Sequence, residues 1–99
     1  MAQVKVTFKI HANAKDAYIV GSTKNLGEWD AKKAVALTKE DCFTVAKQFE
    51  VGSFVEFKVL SAKSFDAVEK GYNNEEVENH SFVASKGLVV ELEIPNFNK

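Results

Sequence analysis

The chain contains no arginine: all 13 of its cationic residues are lysine, set against 14 acids for a net charge of -1. A partner that needs the bidentate guanidinium fork, such as nucleic acid, phosphate or an acidic peptide, is therefore a poor expectation. A phosphate-backbone binder would also want a basic face, which this balance does not provide. Cysteine is reduced to Cys42, so no disulfide within the chain can staple it and packing alone must hold the fold. No apolar run approaches the roughly 20 residues of a membrane helix. The opening Met1-Ala2-Gln3-Val4-Lys5 carries no signal-peptide segment and leaves the compartment open.

Ordinary globular values make up the rest: 45% hydrophobic, 11% aromatic and 27% charged residues. They exclude disorder, collagen and repeat arrays. At 99 residues, the expectation is one domain over 1–99 with one hydrophobic core.

Apolar residues recur with a period of two. Val4, Val6, Phe8 and Ile10 alternate with Lys5, Thr7, Lys9 and His11, the pattern of a half-buried strand. Further runs are Tyr18 to Val20, Ala34 to Leu37, Phe43 to Phe49, Phe54 to Leu60, Phe82 to Ala84 and Leu88 to Ile94. The fold class expected is all-β, an antiparallel sandwich of about seven to eight short strands without helices. Two connections exceed hairpin length, Ser22 to Lys33 and Ser61 to Ser81, and loops of that size are where function usually sits.

Catalytic constellations are missing. His11 and His80 lie far apart and read as solvent-exposed, and with the lone Cys42 they do not make a zinc site. Glu28 and Asp30 straddle Trp29, and Glu75, Glu76 and Glu78 cluster. A small sandwich offers no deep cleft in which such carboxylates could face one another, so they read as solvated surface. Gly21-Ser22 and Gly27 lack the spacing and the following helix of a phosphate cradle. The expectation is a protein that is no enzyme and uses no metal or cofactor.

One residue stands out. The only tryptophan, Trp29, lies in a polar loop after a glycine turn rather than within a strand's apolar parity. Such a ring, held partly in solvent, offers an apolar platform for the C–H face of a sugar while its neighbours hydrogen-bond hydroxyls.

Around that loop, Tyr18-Ile19-Val20-Gly21-Ser22, Leu26-Gly27-Glu28-Trp29-Asp30 and Ala34-Val35-Ala36-Leu37 together resemble the family-20 starch-binding modules. The likeness continues through Val51-Gly52, Phe54 to Val59 and the loop Val68-Glu69-Lys70-Gly71-Tyr72-Asn73. It implies an immunoglobulin-like sandwich that binds α-1,4-glucans or maltooligosaccharides. It also implies tethering to a glycoside hydrolase or glucanotransferase. The site residues it implies are Trp29, Lys58, Glu69 and Asn73 or Asn74. Where the family has a second tryptophan the sequence carries Val68, and Tyr72 is the ring expected to replace it. The family's second site has no aromatic near Asn13-Ala14, and Phe43 there shares the parity of core residues. The alternative is an immunoglobulin-like protein-interaction or structural domain that has lost its sugar site.

Overall fold

The computed structural model describes residues 2–97; Met1, Asn98 and Lys99, the ends of the expected 1–99 unit, lie outside the described residues. Ten strands follow in chain order: β1 (Gln3–Ala12), β2 (Tyr18–Gly21), β3 (Val35–Ala36), β4 (Thr38–Lys39) and β5 (Phe43–Glu50), then β6 (Phe54–Leu60), β7 (Glu69–Lys70), β8 (His80–Val83), β9 (Val89–Ile94) and β10 (Asn96–Phe97). No α-helix occurs among the described residues, only short 3-10 turns at Lys24–Leu26, Ala31–Lys33 and Phe65–Ala67.

Two four-stranded sheets, in the orders β4-β5-β1-β9 and β3-β2-β6-β8, form the sandwich, and β10 pairs with β7 in a small separate ribbon. The all-β sandwich read from alternation is the observed architecture, with one correction to its pairing. β9 runs parallel to β1, with Thr7 opposite Val89 and Ala12 opposite Ile94. Parallel partners need only a long crossover between them, and the whole chain from β1 to β9 supplies it.

The expected strand Ala34 to Leu37 is also corrected. β3 pairs with β2 in one sheet, whereas β4 pairs with β5 in the other. The chain changes sheets at Leu37, which is buried and whose amide donates to the carbonyl of Ala17 at 2.9 Å. A corner of this kind lets two short segments close both layers over one core.

Between the layers, Phe8 of β1 meets Phe49 of β5, Phe57 of β6 and Phe82 of β8 edge-to-face, with ring centroids 5.3 to 6.2 Å apart. Edge-to-face geometry places a positive ring edge on a negative ring face, which adds to the burial of area. Val6, Ile10, Ile19, Val55 and Val59 complete this core with no exposure to solvent. A second, smaller apolar cluster of Val20, Ala34 and Leu60 lies apart from it. Ile19 and Val59 belong to the main core while their neighbours Val20 and Leu60 belong to the second cluster. Since successive side chains point to opposite faces, the second cluster covers the outer face of the β2–β6 pair. That outer face positions the candidate site.

Candidate functional site

After β2 the chain leaves the sheet at Gly21. A Cβ there would lie 2.5 Å from the Glu56 carbonyl oxygen, so only glycine allows this close passage. The turn Lys24–Leu26 ends at Gly27 with φ 85°, and Glu28 and Trp29 follow with φ 50° and 64°. Left-handed backbone is uncommon for residues with a Cβ and persists where surroundings over-determine it. Here they do. The amides of Glu28, Trp29 and Asp30 donate to the carbonyls of Thr23, Gly21 and Gly27 at 2.9 to 3.0 Å. Leu26 is fully buried, and the Asn25 side-chain amide donates to the Gln48 carbonyl at 2.6 Å. Asp30 accepts from the Lys32 amide at 3.0 Å and so caps the following turn. The loop thereby brings the half-buried Trp29 against Val20, Ala34 and Leu60, together with Tyr18 and Val68.

The rest of the Trp29 surface borders a groove of about 430 Å³. Phe65, Val68 and Val77 add apolar wall, and Lys58, Lys70, Glu76 and Asn79 add polar groups. Lys58 lies on β6 with the parity opposite to the buried Phe57 and Val59. Its Nζ donates to the Val77 carbonyl, one of the three protons an ammonium can donate. Lys70 Nζ stands 3.8 Å from Glu76 Oε1.

Glu69 also borders the groove, yet it is only 2% exposed. Its Oε2 accepts from the Val59 amide at 2.6 Å, and its Oε1 lies 2.5 Å from His80 Nε2. The reason is a gap in strand pairing. β8 pairs with β6 only as far as Phe57 opposite His80, and the next contact is the bridge of Leu60 with Val68. The carboxylate fills the interval and satisfies an amide that would otherwise be buried without a partner. The expectation of a solvent-exposed His80 is thus corrected: its side chain is 25% exposed and bonded to Glu69. His11 does lie on the wet face, 2.7 Å from Glu91 Oε2. That hydrogen bond, with the charges of His11 and Lys9, holds the Glu91 carboxyl below its ordinary pKa.

Of the residues singled out in the sequence, the structure brings Trp29, Lys58 and Glu69 to one groove. Tyr72 goes elsewhere. It is 79% exposed and borders a separate shallow surface with His11, Asn13, Glu93 and Pro95. The Asn96 side-chain amide donates to the carbonyls of Gly71 and Tyr72 at 2.9 and 3.2 Å, which ties their loop to β10. Within that loop the Gly71 amide donates to the Glu75 carbonyl, and the Asn73 amide to Glu75 Oε1 at 2.8 Å. Asn73 and Asn74 are exposed on this turn, and Asn74 has φ 62°. Neither borders the Trp29 groove. Phe43 is a core residue at the start of β5, opposite Ile10 of β1.

Phe65, Lys70, Val77 and Asn79 were not singled out in the sequence. A phenylalanine in the polar stretch Ser64-Phe65-Asp66 is the same kind of signal as Trp29, and could have been read that way. Among the described residues no three His, Cys, Asp or Glu side chains are placed to hold a metal ion, and no helix is long and apolar enough to cross a membrane.

Known proteins share this architecture. The model of the starch binding domain family, CBM_20, matches residues 3–91. The family 20 carbohydrate-binding module of the maltotetraose-forming amylase from Pseudomonas saccharophila STB07 superposes with a TM-score of 0.68 at 19% identity, covering 92% of this chain and 100% of that one. The family 15 glucoamylase from Hypocrea jecorina gives 0.70 at 19% identity over 100% of this chain, and that from Hormoconis resinae 0.71 at 18% over 95%. The match spans only 18% of the length of either glucoamylase. At these identities the superpositions speak for the fold. No curated protein sequence matches significantly.

Proposed function

Because the chain belongs to the starch binding domain family, we propose that it is a noncatalytic module that binds α-1,4-glucan in the groove beside Trp29. The observation that carries this reading is the half-buried indole, fixed by three consecutive left-handed residues and opening onto a groove that also holds Lys58. A pyranose ring presents C–H groups on its faces and hydroxyls at its rim. The indole suits the faces, and the Lys58 ammonium and the Asn79 amide suit the rim, since an amide both donates and accepts. A neutral polymer asks for no guanidinium, in keeping with a chain that has none.

Glu69 acts in this reading as a positioning residue. Both its oxygens are engaged within the protein, and they tie β6, which bears Lys58, to the segment carrying His80. Few rings and few hydrogen bonds give affinities of roughly micromolar to millimolar. Such a module gains effect when tethered, which raises the local concentration of its ligand. A parent with a catalytic domain for starch-like substrates fits that need, and the relation in length to the two glucoamylases supports it. Residues 1–99 are accordingly proposed to be one module of the larger protein.

A second reading, a protein-interaction domain, draws on Phe54 and Val83. They face each other across β6 and β8 and are 63% and 55% exposed. Titration with maltoheptaose or β-cyclodextrin, followed by the fluorescence of the single tryptophan, separates the two. The glucan reading expects a saturable change and retention on granular starch. No response at millimolar sugar and no retention on starch would favour the second reading.

A further inference from the structure

Resting on the glucan reading, we propose that Phe65 supplies the second stacking ring of the Trp29 groove. Of the eight phenylalanines, Phe8, Phe43, Phe49, Phe57, Phe82 and Phe97 pack in or against the main core. Phe54 lies on the outer face of β6. Phe65 belongs to neither apolar cluster, is 42% exposed and borders the groove.

An aromatic ring left in water forfeits the stabilisation that burial would bring. A mobile loop could turn such a ring inward, but this one is held. Ser64 caps the turn by accepting from the Asp66 amide at 3.1 Å. The Ala67 amide donates to the Ser64 carbonyl at 3.0 Å, and the Val68 amide to the Phe65 carbonyl at 3.3 Å. The Ser61 amide closes the loop onto the Ala67 carbonyl at 3.0 Å, and Leu60 bridges Val68. The backbone that carries Phe65 is therefore fixed where its side chain borders the same groove as Trp29.

Because the backbone beneath the ring is already ordered, less loop entropy is lost when a sugar docks. Phe65 also accounts for Val68 where a second large ring would stand. Val68 packs with Trp29 on the smaller apolar cluster, and the ring on the groove wall comes from three residues earlier. Tyr72 plays no part in this arrangement.

Calorimetric titration with maltoheptaose of the unaltered chain, Phe65→Leu, Phe65→Tyr and Tyr72→Ala tests the assignment. Leucine keeps an apolar side chain of similar size without a flat ring, and tyrosine keeps the ring. Phe65→Leu is expected to weaken binding about tenfold, and Phe65→Tyr and Tyr72→Ala to stay within about twofold of the unaltered chain. Unchanged binding by Phe65→Leu would overturn the proposal. So would equal losses in the leucine and tyrosine variants, because a ring would then not be what the position supplies. A loss confined to Tyr72→Ala would overturn it in favour of that ring. Absence of binding by the unaltered chain would instead remove the glucan reading itself.

Discussion

Glu69 and His80 form a bonded pair across the gap between β6 and β8, with Oε1 2.5 Å from Nε2, and the other carboxylate oxygen holds the Val59 amide at 2.6 Å. The carboxylate is almost fully buried and the imidazole mostly so. Its Phe57 neighbour, with ring centroids 5.3 Å apart, completes the enclosure. Removing one member of such a set leaves buried polar groups without partners, which costs more than the bond itself contributed.

Glu69→Ala is accordingly expected to lower the free energy of unfolding by about 2–4 kcal/mol. Glu69→Gln, which can still accept the Val59 amide, should lose about half of that. Urea unfolding of both variants checks the order. Equal stability of Glu69→Ala and the unaltered chain would contradict the role given to the carboxylate.

Glu28 has φ 50° and is exposed, so a glycine there would relieve backbone strain without removing a buried side chain. Against the larger entropy of glycine in the unfolded chain, Glu28→Gly should still gain about 0.5–1 kcal/mol. A thermal unfolding midpoint that rises by a few degrees is the expected result.

Gly21→Ala should act in the opposite direction. The added methyl would meet the Glu56 carbonyl oxygen at 2.5 Å and Leu26 Cδ1 at 2.8 Å, forcing β2 and β6 apart. A loss of about 1–3 kcal/mol is expected, within the range for overpacking, and weaker glucan binding should accompany it because the Trp29 loop departs from this point.

Glu91 carries the pH dependence that the structure resolves. Its folded-state pKa is depressed, first by the hydrogen bond to His11. The pair therefore stabilises above the ordinary glutamate value, and that stabilisation is lost as pH falls through the lowered folded value. Both groups are exposed, so the effect is small. Glu91→Gln should therefore be slightly less stable than the unaltered chain above the carboxylate range and converge with it in acid, where the glutamate is protonated, as urea unfolding at a series of pH values would show.

How much of this the sequence carried depended on the range of the forces involved. β1, β5, β6 and β9 were legible because one wet and one dry face impose alternation on every residue. The crossing of the chain between sheets at Leu37 and the parallel pairing of β9 with β1 were not, since neither has a local signature. Trp29 and Lys58, which border one groove, were singled out in the sequence, one from its loop and the other from a resemblance. The placement of Tyr72 was not legible. It depends on Asn96, 24 residues away, whose amide ties the Tyr72 carbonyl to β10. Phe65 carried the same local signal as Trp29, a ring in a polar stretch, but that signal is weak for a phenylalanine in a chain that places six others in or against its core.

The most direct test of the glucan groove is an amide NMR titration with maltoheptaose, which reports on every residue and on the indole N–H of the single tryptophan. The account predicts saturable shifts of that indole signal and of the amides at Trp29, Lys58, Phe65, Val68 to Lys70 and Val77 to Asn79. Shifts gathered instead at Asn13, Tyr72 and Glu93, with the indole signal unmoved at saturating sugar, would contradict it.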